Sequence, residues 1–170
     1  MVRKRSDRKQ LPFDPIDEAA RQWGLRWGAV EQMHAVTSLM RVQQLVLAQL
    51  DELLRPHGLT FARYEALVLL TFSRTGALPL GKMGERLQVH PTSVTSIVDR
   101  LESAGLVVRR PHPQDGRAVL AEITDTGRAT VEAATRDLVE ARFAIGGMSE
   151  DQLRELSALL KPVRQHAGDF

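Results

Sequence analysis

Small hydroxyl side chains are concentrated in one segment of the sequence, PTSVTSIVDRL, at residues 91–101. Apolar residues recur there at helical spacing, which predicts a helix that buries Val94, Ile97, Val98 and Leu101. The other positions expose polar side chains: Thr92, Ser93, Thr95, Ser96, Asp99 and Arg100. Serine and threonine are poor helix formers because their side chains compete for backbone hydrogen bonds. Their density therefore indicates hydrogen bonds to something outside the helix.

Positive charge follows in the next segment. LVVRR (106–110) and AVLAEI (118–123) are rich in β-forming residues, and PHPQDGR between them has the Pro, Asp and Gly of a hairpin. We expect its turn to be longer than the tight two-residue type. The hairpin carries four basic side chains: Arg109, Arg110, His112 and Arg117. A hairpin tip with arginine suits a DNA minor groove, where narrow A·T tracts concentrate negative potential.

The surrounding elements must position these two segments. Periodicity and capping residues predict helices over 16–28, 29–55, 61–74, 80–88, 91–104, 124–143 and 149–167, with a short edge strand at 77–80. Thr60, Thr124 and Ser149 are the expected N-caps, Ser149 forming a capping box with Gln152. The predicted fold class is mainly α with a small β hairpin.

Helix, helix, strand, helix, helix, hairpin is the order of a winged helix-turn-helix, whose second short helix enters a major groove. Hydroxyls on that helix could bond base edges or phosphates, and threonine methyls could touch thymine methyls. The alternative is that Thr92, Ser93, Thr95 and Ser96 form a solvated helix face. The arginines of the following hairpin favour contact with double-stranded DNA.

Composition excludes several other classes of function. The 170-residue chain has no cysteine, and its five histidines show no pair at helical spacing, so neither a disulfide nor a structural zinc site is expected. No nucleotide-binding or hydrolytic motif occurs, so we expect no enzyme and no cofactor. The longest apolar run, Ala66 to Leu70, is far shorter than a membrane span. With no secretory signal, a cytoplasmic protein without a membrane partner is expected.

Two runs of sequence, VTSIVDRLESAGLVVRR and PQDGRAVLAEITDTG, resemble the signature of the MarR (multiple antibiotic resistance regulator) family of bacterial transcription factors. The D-x-R of the family's wing falls on Asp115 and Arg117, and its L-T-x-x-G falls on Ile123, Thr124 and Gly127. The similarity covers roughly residues 30–165. It implies an obligate homodimer on a pseudo-palindromic operator, acting as a transcriptional regulator, most simply a repressor released by a small ligand.

The resemblance also implies a division of the chain: a basic flexible tail (1–15), N-terminal dimerisation helices (16–57), a winged helix-turn-helix (58–123) and C-terminal dimerisation helices (124–170). The long amphipathic helices agree, since they have more apolar surface than the small DNA-binding unit can cover. The tail is crowded with Arg and Lys. It is either simply solvated or an arm that contacts phosphates.

Carried over to this sequence, the family's DNA contacts include five residues at or beside the major groove: Thr92, Ser93, Thr95, Ser96 and Arg100. In the wing, Arg117 would reach the minor groove, Arg110 would also bind DNA, and Asp115 would orient the wing arginine. Asp115 could instead bond its own backbone in the turn. Asp99 is unfavourable beside phosphates, so we expect it to hold Arg100 or an arginine of the wing.

Many relatives respond to small aromatic or anionic effectors in a cleft between the dimerisation helices and the winged domain. Five residues are candidates to line such a pocket here: Trp23, Trp27, His34, Tyr64 and Glu65. Aromatic residues at helical spacing can equally be core residues. The second functional hypothesis is a winged-helix module for protein interaction or dimerisation, without specific DNA binding.

Overall fold

The computed structural model describes residues 11–170, apart from the side chains of residues 116 and 117. The basic segment from Arg3 to Lys9 and the side chain of Arg117 therefore lie outside the described residues. Most of the described chain is helical and three short strands form an antiparallel sheet, which confirms the predicted fold class. The chain divides into two compact units, one ending at Leu45 and the other running Val46–Phe170.

The first unit contains α1 (Pro15–Gly24) and the first part of α2 (Val30–Leu54). Asp14 caps α1 by accepting a hydrogen bond from the backbone N–H of Ile16 at 2.8 Å. The prediction of a helix over residues 16–28 is wrong at its C-terminal end. After Gly24 the chain turns back, and the indole N–H of Trp23 donates to the Gly28 carbonyl at 2.8 Å. Glycines at both ends of this turn disfavour continuing the helix.

Helix α2 ends where Pro56 and Gly58 predict, in a 3-10 turn over Arg55–His57. Helix α3 (Phe61–Phe72) follows. Thr60 stands at the N-cap position, but its side chain does not cap the helix. Asp51, one helix earlier, accepts the hydrogen bond from the Phe61 N–H at 2.7 Å. The prediction of Thr60 as the capping group is therefore wrong, because a tertiary contact supplies a carboxylate in its place.

The winged part consists of β1 (Ala77–Pro79), α4 (Leu80–Leu87), α5 (Pro91–Ser103), β2 (Val107–His112) and β3 (Asp115–Ile123). β3 is the central strand, between β1 and β2. Only residues 113 and 114 separate the paired His112 and Asp115, so the expected longer turn is wrong. The irregularity lies in the strands. Pro111 pairs with Val119 and the next residue, His112, pairs with Asp115, so residues 116–118 of β3 form a bulge between these two pairs.

Two further helices complete the second unit. Thr124 caps α6 (Asp125–Glu140), as predicted, and the capping box of Ser149 and Gln152 opens α7 (Glu150–His166). α6 was expected to reach residue 143 but stops at Glu140. Residues 142–144 between the helices all have positive φ, from 50° to 58°. A right-handed helix cannot contain that conformation.

The hydrophobic core of the second unit joins the end of α2 to α3, α5, α6 and the sheet. Its largest fully buried side chains are Leu54, Leu67, Leu70, Met83, Leu101, Leu138, Val94, Val98 and Val107. Helix α5 is therefore anchored on a closely packed support. Among the described residues, no helix has the length and apolar character needed to cross a membrane.

Candidate nucleic-acid interface

Helix α5 separates its apolar and polar residues as the sequence predicts. Val94, Val98 and Leu101 are buried, and Ile97, also predicted to be buried, is half-buried against the core. Every hydroxyl-bearing residue from 92 to 96 is exposed. Pro91 occupies the first turn, and Gly105 leaves the helix with φ of 72°. The packing of one side therefore holds the polar side toward solvent.

The N-cap of α5 is His90, which sequence reasoning missed. Its Nδ1 accepts a hydrogen bond from the Thr92 N–H at 3.3 Å and lies 3.1 Å from the Thr92 hydroxyl. The signal for it was a polar side chain directly before a proline that begins a helix.

Some hydroxyls of α5 form hydrogen bonds within the described part of the chain and others do not. Thr95 donates to the Pro91 carbonyl at 3.1 Å, and Thr92 contacts His90. Ser93, Ser96 and Arg100 make no side-chain hydrogen bond or ion pair with the described part of the chain. These three are spaced at i, i+3 and i+7, so they share one face. Two hydroxyls and one guanidinium are thus available to an external partner.

Arg109 at the start of the hairpin lies between two carboxylates of α5. Its Nη2 donates to Asp99 Oδ1 at 2.5 Å and its Nη1 donates to Glu102. Asp99 was expected to hold either Arg100 or an arginine of the wing, and the structure shows the second, with Arg109 as the partner. Burial opposes the charge of Arg109, but hydrogen bonds and charge from Asp99 and Glu102 outweigh it and raise its pKa.

The other basic residues of the hairpin are more open. The Arg110 side chain is 61% exposed, and its Nε donates to Glu122 of β3 at 3.3 Å. His112 is turned toward the hairpin tip, where its Nδ1 accepts from the Gln114 N–H at 3.2 Å. Asp115 is an exposed residue at the start of β3. The hairpin therefore presents at least one arginine to solvent.

Helix α4 adds two cations that sequence reasoning did not select. Lys82 and Arg86 are exposed and four residues apart, so they share one side of the helix, next to the buried Met83. Neither side chain forms an ion pair with the described residues. Their signal was a basic i, i+4 pair on the helix before the hydroxyl-rich one. Gln88, with φ of 52°, makes the left-handed turn between the two helices.

The five predicted pocket residues fall into different units. In the first, the Trp23 and Trp27 rings lie 4.8 Å apart and His34 Nε2 lies 2.9 Å from Asp17 Oδ1. In the second, Tyr64 is a core residue whose hydroxyl lies 2.9 Å from Thr135 Oγ1.

Glu65, beside Tyr64 on α3, points away from the core, and partial burial raises the pKa of its carboxyl. Two of the surface clefts in the described chain lie near the predicted pocket residues in sequence. One is lined by Phe13, Asp14, Asp17, Glu18 and Arg21, the other by Asp51, Arg55, Gly58, Leu59, Thr60 and Arg63. Neither contains a predicted pocket residue. Hydrogen bonds from Arg21 and Gln22 lower the pKa of Glu18 to about 2. The first cleft is acidic because three carboxylates and only one arginine line it.

A helix that buries one face and offers hydroxyls on the other, followed by a basic hairpin, defines a winged helix-turn-helix protein. The MarR family model matches residues 62–119. The HTH-type transcriptional regulator PecS of Dickeya dadantii (strain 3937) is 31% identical over 141 residues, covering 81% of this chain and 84% of that protein.

Solved structures agree with the sequence comparison. Sco5413, a MarR family transcriptional regulator from Streptomyces coelicolor, is 56% identical with a TM-score of 0.78, over 84% of this chain and 99% of that one. A mutant MarR from E. coli complexed with operator DNA is 26% identical with a TM-score of 0.69, over 80% of this chain and 98% of that one. The chain belongs to the MarR family of transcriptional regulators. Such regulators act by binding DNA, as the complex with operator DNA illustrates.

Proposed function

We propose that this protein is a homodimeric, sequence-specific DNA-binding regulator that places α5 in a major groove and the β2–β3 hairpin in a minor groove. The observation that carries the proposal is the face of α5, where Ser93, Ser96 and Arg100 are exposed and have no side-chain partner among the described residues. Exposed hydroxyls and a free guanidinium suit base edges and phosphates.

The remaining contacts follow from this placement. Thr92 and Thr95 have hydroxyls engaged within the helix, so their methyl groups are the parts we assign to contact with bases. Arg110 and Arg117 act from the wing, with Asp115 orienting the wing arginine. Lys82 and Arg86 bind phosphates from α4, as the first helix of such a motif crosses the DNA backbone.

Unpartnered apolar surface supports the homodimer. Helix α2 exposes Val36, Leu39, Met40, Val42, Leu45 and Leu47, and the C-terminal helix exposes Leu159 and Val163. Exposed apolar side chains in such number mark an interface, and a second copy of the chain supplies the same side chains for it. A twofold dimer reads two half-sites about 10 bp apart.

We further propose that the protein acts in the cytoplasm as a repressor that a small aromatic or anionic molecule releases. The tryptophan pair of the first unit supports an aromatic ligand, because two exposed rings 4.8 Å apart offer a stacking surface. The acidic cleft beside α1 does not suit an anion. An anionic effector must therefore bind elsewhere, beside an arginine.

Fluorescence anisotropy tests the proposal, using short duplexes from the intergenic DNA next to the protein's own gene, at several salt concentrations, against scrambled duplexes. Preference for one inverted repeat, saturating at one dimer per site, is the expected result. The variant Ser96→Ala tests the helix face, and it should weaken binding to that repeat more than binding to scrambled DNA. If no duplex binds even at low salt, the protein-interaction module becomes the better account.

A further inference from the structure

We infer that Arg109 is a positioning residue that sets the angle between α5 and the β2–β3 hairpin, so that helix and wing enter their two grooves together. On this account Arg109 makes no contact with DNA itself. The inference rests on the proposed function, since it assigns a role within the proposed DNA interface.

The contacts of Arg109 span one turn of the helix. Its two Nη groups reach Asp99 and Glu102, which are one turn apart, and its backbone N–H donates to Glu102 Oε1 at 3.1 Å. A planar guanidinium holds two carboxylates in fixed directions, which an ammonium group cannot do. The residue therefore resists both rotation and sliding of β2 against α5.

The position of Arg109 within the sheet extends this restraint to the whole hairpin. Arg109 pairs with Ala121 of β3, which is fully buried. The stem of the hairpin is also tied to the end of α5, where the Leu106 N–H donates to the Leu101 carbonyl at 2.9 Å. Arg109 lies three residues further along β2, so it fixes the direction in which the hairpin leaves the helix.

The electrostatics of the cluster argue against a phosphate contact. Only 25% of the Arg109 side chain is exposed, and two carboxylates share its single charge. The three groups together carry a net charge of −1, which repels phosphates. Arg110, the next residue, is 61% exposed and has one partner at 3.3 Å. Because the charge of this cluster opposes DNA binding, we assign to the cluster the role of maintaining the angle between α5 and the hairpin.

Salt titrations with a preferred duplex and a scrambled duplex distinguish a positioning role of Arg109 from a direct phosphate contact. For Arg109→Ala we expect about a tenfold fall in the preferred-to-scrambled affinity ratio, with the slope of log K against log salt unchanged. Arg110→Ala is the matched control, and it should reduce that slope by about one. If Arg109→Ala instead weakens both duplexes equally and reduces the slope, Arg109 is a phosphate contact and the inference is overturned.

For a second variant, Asp99→Asn, the electrostatic effect and the loss of the positioning restraint predict opposite changes in DNA affinity. Asp99→Asn removes one negative charge from an exposed side chain, so simple electrostatics predicts tighter binding to every duplex. Loss of the restraint predicts several-fold weaker binding to the preferred duplex alone. Thermal unfolding of each variant shows whether the fold is retained. A wild-type protein without any preference would remove the proposed function and this inference with it, whereas uniform tightening by Asp99→Asn would remove the inference alone.

Discussion

The hydroxyl of Thr124 accepts a hydrogen bond from the backbone N–H of Gly127 at 3.0 Å, which caps the first turn of α6. The same hydroxyl donates to the carbonyl of Gly105 at 2.8 Å. One side chain thus joins the start of α6 to the turn that ends α5. The start of α6 lies so close to Leu106 and Ile123 that Gly127 has no room for a side chain.

Gly127→Ala should destabilise the fold by about 3 kcal/mol. A Cβ at this position would lie 2.1 Å from the Leu106 carbonyl oxygen and 2.8 Å from Ile123 Cγ1. The Leu106 carbonyl also accepts from the Thr124 N–H, so moving it aside breaks a backbone hydrogen bond. Urea unfolding followed by circular dichroism measures the change.

Gly81→Ala is the matched control for this substitution. Gly81 lies on α4, and a Cβ there meets nothing within 4 Å. Because alanine favours helix more than glycine does, we expect stabilisation of about 0.5–1 kcal/mol. Equal effects of the two substitutions would contradict the close approach of α6 to Leu106.

Gln88→Gly should stabilise the protein by about 1 kcal/mol, because Gln88 has φ of 52°, a conformation that costs energy for any residue with a Cβ. Glu85 lies within the same helix and has ordinary helical geometry, so Glu85→Gly should lower the free energy of unfolding by about 0.7 kcal/mol. Guanidinium unfolding midpoints of the two variants, compared with wild type, should move in opposite directions. Movement of both midpoints downward would argue against the left-handed turn.

Glu65→Gln should make the protein more stable at neutral pH than at pH 4, relative to wild type. Burial raises the pKa of Glu65, so the folded state holds the proton more tightly than the unfolded chain does. Wild type therefore loses stability as pH rises from the unfolded pKa through the folded one, and glutamine removes that loss. Unfolding free energies at both pH values, with Glu155→Gln as the control for loss of an exposed charge, measure it. An identical pH response of wild type and Glu65→Gln would contradict the prediction.

Arg117→Ala should weaken binding by about tenfold when the bases facing the wing are A·T-rich, and by less when they are G·C-rich. The reason is that a narrow A·T minor groove concentrates negative potential. Anisotropy with duplexes that differ only at those positions provides the measurement. Arg136→Ala on α6 removes one exposed charge outside α5 and the hairpin, and a similar loss from it would show that only total charge matters.

Features that depend on neighbouring residues were predictable from the sequence. The buried and exposed sides of α5, the N-cap Thr124 and the capping box of Ser149 all agree with the structure. Helical periodicity and capping act within one or two turns, so a short stretch of sequence contains all the groups involved. The family resemblance used the same local segments.

What only the tertiary structure decided depends on residues distant in the chain. Asp51 caps α3 in place of Thr60, ten residues from the N–H that it binds. The sequence indicated that Asp99 should hold a basic partner, but α5 and β2 had to pack before Arg109 rather than Arg100 became that partner. The hairpin turn and its strand irregularity were set by pairing along the whole of β2 and β3. Long-range packing chooses among partners that local sequence leaves equivalent, because each choice depends on the burial and hydrogen bonding of both elements at once.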